Sequence, residues 1–143
     1  MSSDPRFRAV ARAAGTRVLV VDDHCDSAEL LSEVLTANGC DVRVALDGEE
    51  ALAIVREFAV DLAFIDIGLP ATTGHELIRA LRALPQMASC RYVAVSGYDT
   101  KAAIQQSFDA GFELHLVKPV AIAEIVAAVA KPASGSGPNF GRS

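Results

Sequence analysis

Short β-branched runs alternate along this chain with stretches whose apolar residues recur every three or four positions, and the two periods predict different elements. Arg17 to Val21 (RVLVV), Asp41 to Ala45, Leu62 to Ile65, Tyr92 to Val95 and Leu114 to Val117 read as strands. The first helix is expected from about Ser27 to Asn38, with Asp26 as N-cap, Leu31, Val34 and Leu35 along its inner side and Gly39 as its stop. A second is capped by Asp47 and carries Ala51, Leu52, Val55 and Phe58; a third covers about Gly74 to Ala83. The last two run from Thr100 to Ala110 and from about Ala121, where Ile122, Ile125, Val126 and Val129 mark an apolar stripe. Five strands alternating with five helices predict an α/β domain: a doubly wound, five-stranded parallel sheet with helices on both faces. Parallel neighbours need crossover connections, and those are nearly always right-handed.

Composition then sets limits. The chain has 143 residues, 51% of them hydrophobic, which suits one globular domain with a substantial core. Residues 1–15 and the Gly-, Pro- and Ser-rich residues 131–143 read as flexible segments flanking a domain at 16–130. Neither a signal-peptide core nor a run of about 18 apolar residues is present, so the expected location is cytoplasmic, with no membrane partner. Cys25, Cys40 and Cys90 are odd in number and show no CxxC spacing, which fits reduced thiols. The net charge of −5 argues against direct DNA binding, because neutralising phosphates needs the opposite sign.

Chemistry enters where apolar strands end on polar residues. Asp66 closes "LAFID", Asp22 and Asp23 follow "VLVV", Ser96 ends "YVAVS" and Lys118 follows "LHLV". An open parallel sheet brings the carboxyl ends of its strands to one edge, where ligands bind. Three carboxylates gathered there repel one another unless a cation intervenes, and hard oxygen donors suit Mg²⁺. Lys118 and the Ser96 hydroxyl equip the same edge for an anion, and a phosphoryl group fits. His24 reads as a loop residue beside this edge rather than a ligand, and His75 as a surface residue.

In these residues the chain resembles the receiver domains of two-component response regulators, over about residues 16–130. The resemblance rests on the acidic pair Asp22 and Asp23, on Asp66 followed by Pro70 and Gly74, on Ser96 30 residues after Asp66, and on Lys118-Pro119 22 residues later. It implies strand order 2-1-3-4-5 and phosphoryl transfer to Asp66 from a histidine kinase or histidine phosphotransfer protein. It also implies Mg²⁺ held by Asp23 and Asp66 directly, by Asp22 partly through water, and by the Gly68 carbonyl. Lys118 would neutralise the phosphoryl group and Ser96 would read it. Three residues before the lysine, where many receivers place a Tyr or Phe switch, stands His115, so the aromatic-switch mechanism does not carry over unchanged. Gly68 and Tyr98 occupy positions that tune hydrolysis of the acyl phosphate in the family. The combination DIGLP, SGYD and HLVKPV looks most like receivers in or beside hybrid sensor histidine kinases.

Two rivals are weighed. A pseudo-receiver, acting as a phosphorylation-independent interaction module, would not need the full set Asp22, Asp23, Asp66, Ser96 and Lys118. A flavodoxin-like FMN protein would want a Ser/Thr/Gly-rich phosphate loop after the first strand, where this chain has DDHCDS. Output is expected through a downstream protein partner on the Thr100–Ala130 face, with Ile104, Phe108 and His115 in it, and not through DNA.

Overall fold

The computed structural model of the protein describes residues 15–69 and 73–130. Its strands are β1 (Arg17–Val21), β2 (Asp41–Ala45), β3 (Leu62–Asp66), β4 (Arg91–Ser96) and β5 (Leu114–Val117). They alternate with α1 (Cys25–Ala37), α2 (Gly48–Val55), α3 (Gly74–Arg82), α4 (Lys101–Ala110) and α5 (Ile122–Ala130). A 3₁₀ turn at Pro85–Met87, which the periodicity does not reveal, follows α3. All strand pairs are parallel, in the order β2-β1-β3-β4-β5. The flanking segments 1–14 and 131–143 and the family-like Pro70 lie outside the described residues.

The continuous apolar strands are explained by burial on both sheet faces. Leu19, Val21, Ala63 and Ile65 pack against Ala51, Val55, Leu77, Ile78 and Leu81 from α2 and α3. Their strand neighbours Val18, Val20, Leu62 and Phe64 pack on the other face against Leu31, Leu35, Ile125 and Val129 from α1 and α5. Successive side chains of a strand point to opposite faces, so a strand covered on both sides has no polar positions to alternate with. Each fully buried Leu, Ile or Phe contributes about 1.5–3 kcal/mol before the entropy of ordering is subtracted.

The helix ends follow local chemistry, with two corrections. Asp26 is not the cap of α1: the helix begins earlier, with His24 extended at the N-cap and its carbonyl accepting from the Ala28 N–H. Asp26 sits in the first turn, where a carboxylate still complements the positive end of the helix. Phe58 is not part of α2, which ends at Val55; it packs on the core from the following turn and lies under the Arg43 guanidinium, 4.3 Å from the ring centroid. The expected cap Asp47 holds, accepting from the Glu50 N–H; the structure adds Thr100, which accepts from the Ala103 N–H, and a reciprocal capping box of Thr73 and Glu76. Gly39 ends α1 at φ +88°, a conformation that favours glycine.

Gly74 has a different necessity. A Cβ built there would meet the backbone at Ile67 Cα, 2.6 Å away, and at Asp66 O, 2.9 Å away. The missing side chain lets α3 start directly against the end of β3, and its N–H donates to the Ile67 carbonyl.

Candidate functional site

The order of the strands reverses at β1 and β3, and the crevice beyond their carboxyl ends is where the polar residues converge. Asp22 and Asp66 are nearly fully buried, at 3% and 4% exposure. Burying two carboxylates is costly unless they are paired, and the partner arrives from β5. The Lys118 ammonium lies 3.1 Å from Asp22 Oδ2 and 3.2 Å from Asp66 Oδ2. Burial works against its charge, but the hydrogen bond and charge of Asp22, together with Asp66, outweigh that and hold Lys118 above the ordinary lysine range. The lysine is placed by its own backbone, whose N–H donates to the Ser96 carbonyl, and is followed by a cis peptide to Pro119.

The remaining carboxylate atoms are held by the loops. Asp66 Oδ1 accepts from the Gly68 N–H at 2.9 Å, and Asp22 Oδ1 from the His24 N–H at 2.9 Å. His24 is the loop residue beside this edge that the sequence predicts, and it approaches the carboxylates closely. Its Nδ1 lies 3.1 Å from Asp22 Oδ1 and 3.5 Å from both Asp23 Oδ1 and Asp66 Oδ2, so the ring joins the acidic cluster. One ligand atom each from Asp22, Asp23, His24 and Asp66 fall within 4.8 Å of one another.

Whether these residues fit a divalent cation is answered by their donors and by one orphaned atom. Asp23 Oδ1 is buried without a hydrogen-bond partner among the described residues, although it belongs to a half-buried side chain. Three carboxylates supply hard oxygen donors of the kind that bind Mg²⁺. The donor set fits.

Ser96 lies on the opposite wall, and His115 stands on the neighbouring strand β5. Ser96 is 2% exposed, and its Oγ accepts from the Tyr98 N–H at 2.9 Å. His115 does not reach the carboxylates; one ring nitrogen is 2.7 Å from Ser107 Oγ and the other 2.9 Å from the Tyr98 carbonyl. Between the walls opens a cleft of about 560 Å³, lined by Asp66, Gly68, His75, Ser96, Tyr98 and Lys118 among others. His75 is therefore not a plain surface residue. It is half-buried on α3, its Nε2 has no hydrogen-bond partner among the described residues, and it lies edge-on to Phe112. Burial, then the neighbouring Arg79 and His115, lower its pKa.

Ser107 carried no sequence signal, since a serine within a weakly amphipathic helix reads as one more polar position. The contacts of His24 with the carboxylates carried none either, because a histidine after two aspartates in a loop has no periodicity to aim its ring. Among the expected output residues, Ile104 is half-buried and Phe108 is 41% exposed. The three cysteines are free thiols, Cys25 exposed and Cys40 buried. Among the described residues no helix is long and apolar enough to cross a membrane.

Comparison with known proteins agrees with this arrangement. The model of the response regulator receiver domain matches residues 18–130. The transcriptional regulatory protein PrrA of Mycobacterium tuberculosis is 39% identical over 114 residues, covering 79% of this chain and 48% of PrrA. The DNA-binding response regulator MtrA of the same organism is 34% identical over 113 residues, 79% of this chain and 48% of MtrA. Among solved structures, the chemotaxis response regulator CheY4 of Vibrio cholerae superposes with a TM-score of 0.76 at 27% identity, covering 81% of this chain and 97% of that one. A putative response regulator from Chloroflexus aurantiacus gives 0.76 at 31% identity, covering 80% and 94%.

These relatives overturn the expectation of no direct DNA binding. This chain spans about half the length of PrrA and MtrA, so the acidic charge of the matched part says nothing about the groups with which a whole regulator meets DNA. Their names give no support to the hybrid-kinase setting.

Proposed function

The chain belongs to the response regulator receiver domain family, and from that premise we propose that it is a Mg²⁺-dependent phosphoacceptor that takes a phosphoryl group on Asp66 from a phosphohistidine. The observation that carries this reading is the convergence of Asp22, Asp66 and the Lys118 ammonium within 3.2 Å contacts at the end of β3. Transfer needs in-line positioning and neutralised charge more than it needs an acid or a base. A carboxylate oxygen of Asp66 forms the new P–O bond as the donor's P–N bond breaks, and the departing imidazole keeps the electron pair and takes up a proton. Lys118, already between Asp22 and Asp66, offsets the charge on the phosphoryl oxygens. Asp22, Asp23 and Asp66, with the Gly68 carbonyl, would hold the Mg²⁺, which when bound supplies a second positive charge against the same oxygens.

Ser96 then reads the product. Its hydroxyl leaves the Tyr98 N–H for the new phosphoryl oxygens, and the loop to α4 changes its hold on the domain, a local pull that biases two arrangements. The intact acidic set and lysine leave the pseudo-receiver reading without support. The names PrrA and MtrA support a transcriptional output for a whole protein of their length. Intact mass after incubation with acetyl phosphate and Mg²⁺ tests the proposal: one added phosphoryl group, absent in Asp66→Asn, is the expected result.

A further inference from the structure

We infer that Ser107 is a positioning residue for the switch, holding His115 so that the ring grips the Tyr98 carbonyl and latches the loop after Ser96 onto α4. The Tyr98 peptide is fixed at both ends. Its N–H donates to Ser96 Oγ at 2.9 Å, and its carbonyl lies 2.9 Å from His115 Nε2. A carbonyl only accepts, so Nε2 carries the hydrogen and the tautomer is set. In the neutral ring His115 Nδ1 must then accept, and it faces Ser107 Oγ at 2.7 Å. Ser107 is fully buried, and its alternative acceptor, the Ala103 carbonyl one turn back, is farther away at 3.3 Å. A hydroxyl that would otherwise bond its own helix is thus spent on the ring.

The consequence is a hydrogen-bonded line of four residues, Ser96, Tyr98, His115 and Ser107, from the floor of the cleft to the inner side of α4. A phenyl or phenol ring at position 115 could not complete it, because neither offers one nitrogen to each side. The role of this line in signalling rests on the phosphoacceptor reading. When Ser96 turns to a phosphoryl group on Asp66, Tyr98 loses its N–H partner, and the His115–Ser107 pair decides how far the loop can follow.

The test is NMR on the full chain at about pH 8, where an ordinary imidazole is neutral. In the wild type, long-range ¹⁵N correlations should show His115 as the Nε2-protonated tautomer; an Nδ1-protonated ring overturns the latch even if no variant folds. In Ser107→Ala, amide exchange at Tyr98 and Asp99 should speed at least fivefold, and their shifts should move toward the positions wild type takes with beryllofluoride and Mg²⁺. His115→Phe should do the same, and the double variant should add nothing to either single one. Unchanged Tyr98 exchange in Ser107→Ala, or additive effects, would refute the inference. If beryllofluoride moves no resonance of the wild type, the phosphoacceptor reading fails instead, while tautomer and exchange still decide the latch.

Discussion

Lys118 Nζ and Asp66 Oδ2 lie 3.2 Å apart across 52 residues of sequence, and the same ammonium reaches Asp22 Oδ2 at 3.1 Å. One cation just past the last strand thus compensates two buried carboxylates, one just past the first strand and one closing the third. Removing it leaves both uncompensated. Lys118→Ala should lower stability by about 1–3 kcal/mol in a chelator, with much of the loss restored by Mg²⁺, and should slow phosphorylation. Urea unfolding with and without the cation checks both; a variant as stable as the wild type in chelator would contradict this account.

Asp66→Asn should abolish labelling by acetyl phosphate, and a chelator should suppress labelling of the wild type. Ser96→Ala should still take up the phosphoryl group, because the hydroxyl reads the product and does not form the bond. Its loop shifts on phosphorylation should be weak. Intact mass and amide shifts separate the two effects.

Arg91 holds the far end of the sheet, away from the site. Its guanidinium pairs with Glu113 at 2.6 Å and donates to the Ala128 carbonyl at 2.8 Å, tying β4 and β5 to α5. Arg91→Leu should cost about 2–4 kcal/mol of stability and leave the rate of Asp66 phosphorylation unchanged. Chemical denaturation beside a phosphorylation time course tests the separation.

The thiols should differ sharply in reactivity. Burial pushes Cys90 up from 9.0 to about 12, and burial also raises Cys40, so at mildly alkaline pH an alkylating reagent should modify Cys25 first. For stability, a thiol that ionises later in the folded state than in the unfolded state favours folding fully below the unfolded pKa. That contribution is lost as pH rises through the interval, here from about 9 to about 12. Tyr92, raised by burial, and Lys118, raised on balance by its carboxylates, add to the same alkaline loss. Cys90→Ala should flatten the fall of stability over this range by up to about 1.4 kcal/mol per pH unit, as measured by denaturant midpoints.

Gly74→Ala should be poorly tolerated, since the added methyl would press on the backbone of Asp66 and Ile67 and not on a movable side chain. A loss of about 1–3 kcal/mol, with slower phosphorylation because the end of β3 shifts, is the expected outcome. Thermal unfolding and the same mass assay measure it.

By itself, the sequence determined the elements and the family. Strands buried on both faces are written as unbroken apolar runs such as Leu62–Ile65, and the residues that break each run at its carboxyl end, Asp22, Asp66, Ser96 and Lys118, must share an edge once the strands are parallel. The cap Asp47 was legible too, because its side chain acts only on its own helix. What the tertiary structure decided were contacts made across elements. His24 meets three carboxylates, all through its Nδ1, because the edge gathers those groups beside its loop, and α1 begins before Asp26 for reasons of backbone geometry that no capping preference encodes. His115 faces Ser107 and the Tyr98 carbonyl only because α4 packs on β5 in this register. Charge misled for a simpler reason: net charge is a property of the residues counted, and the DNA-binding relatives carry about as much chain again beyond the part that matches.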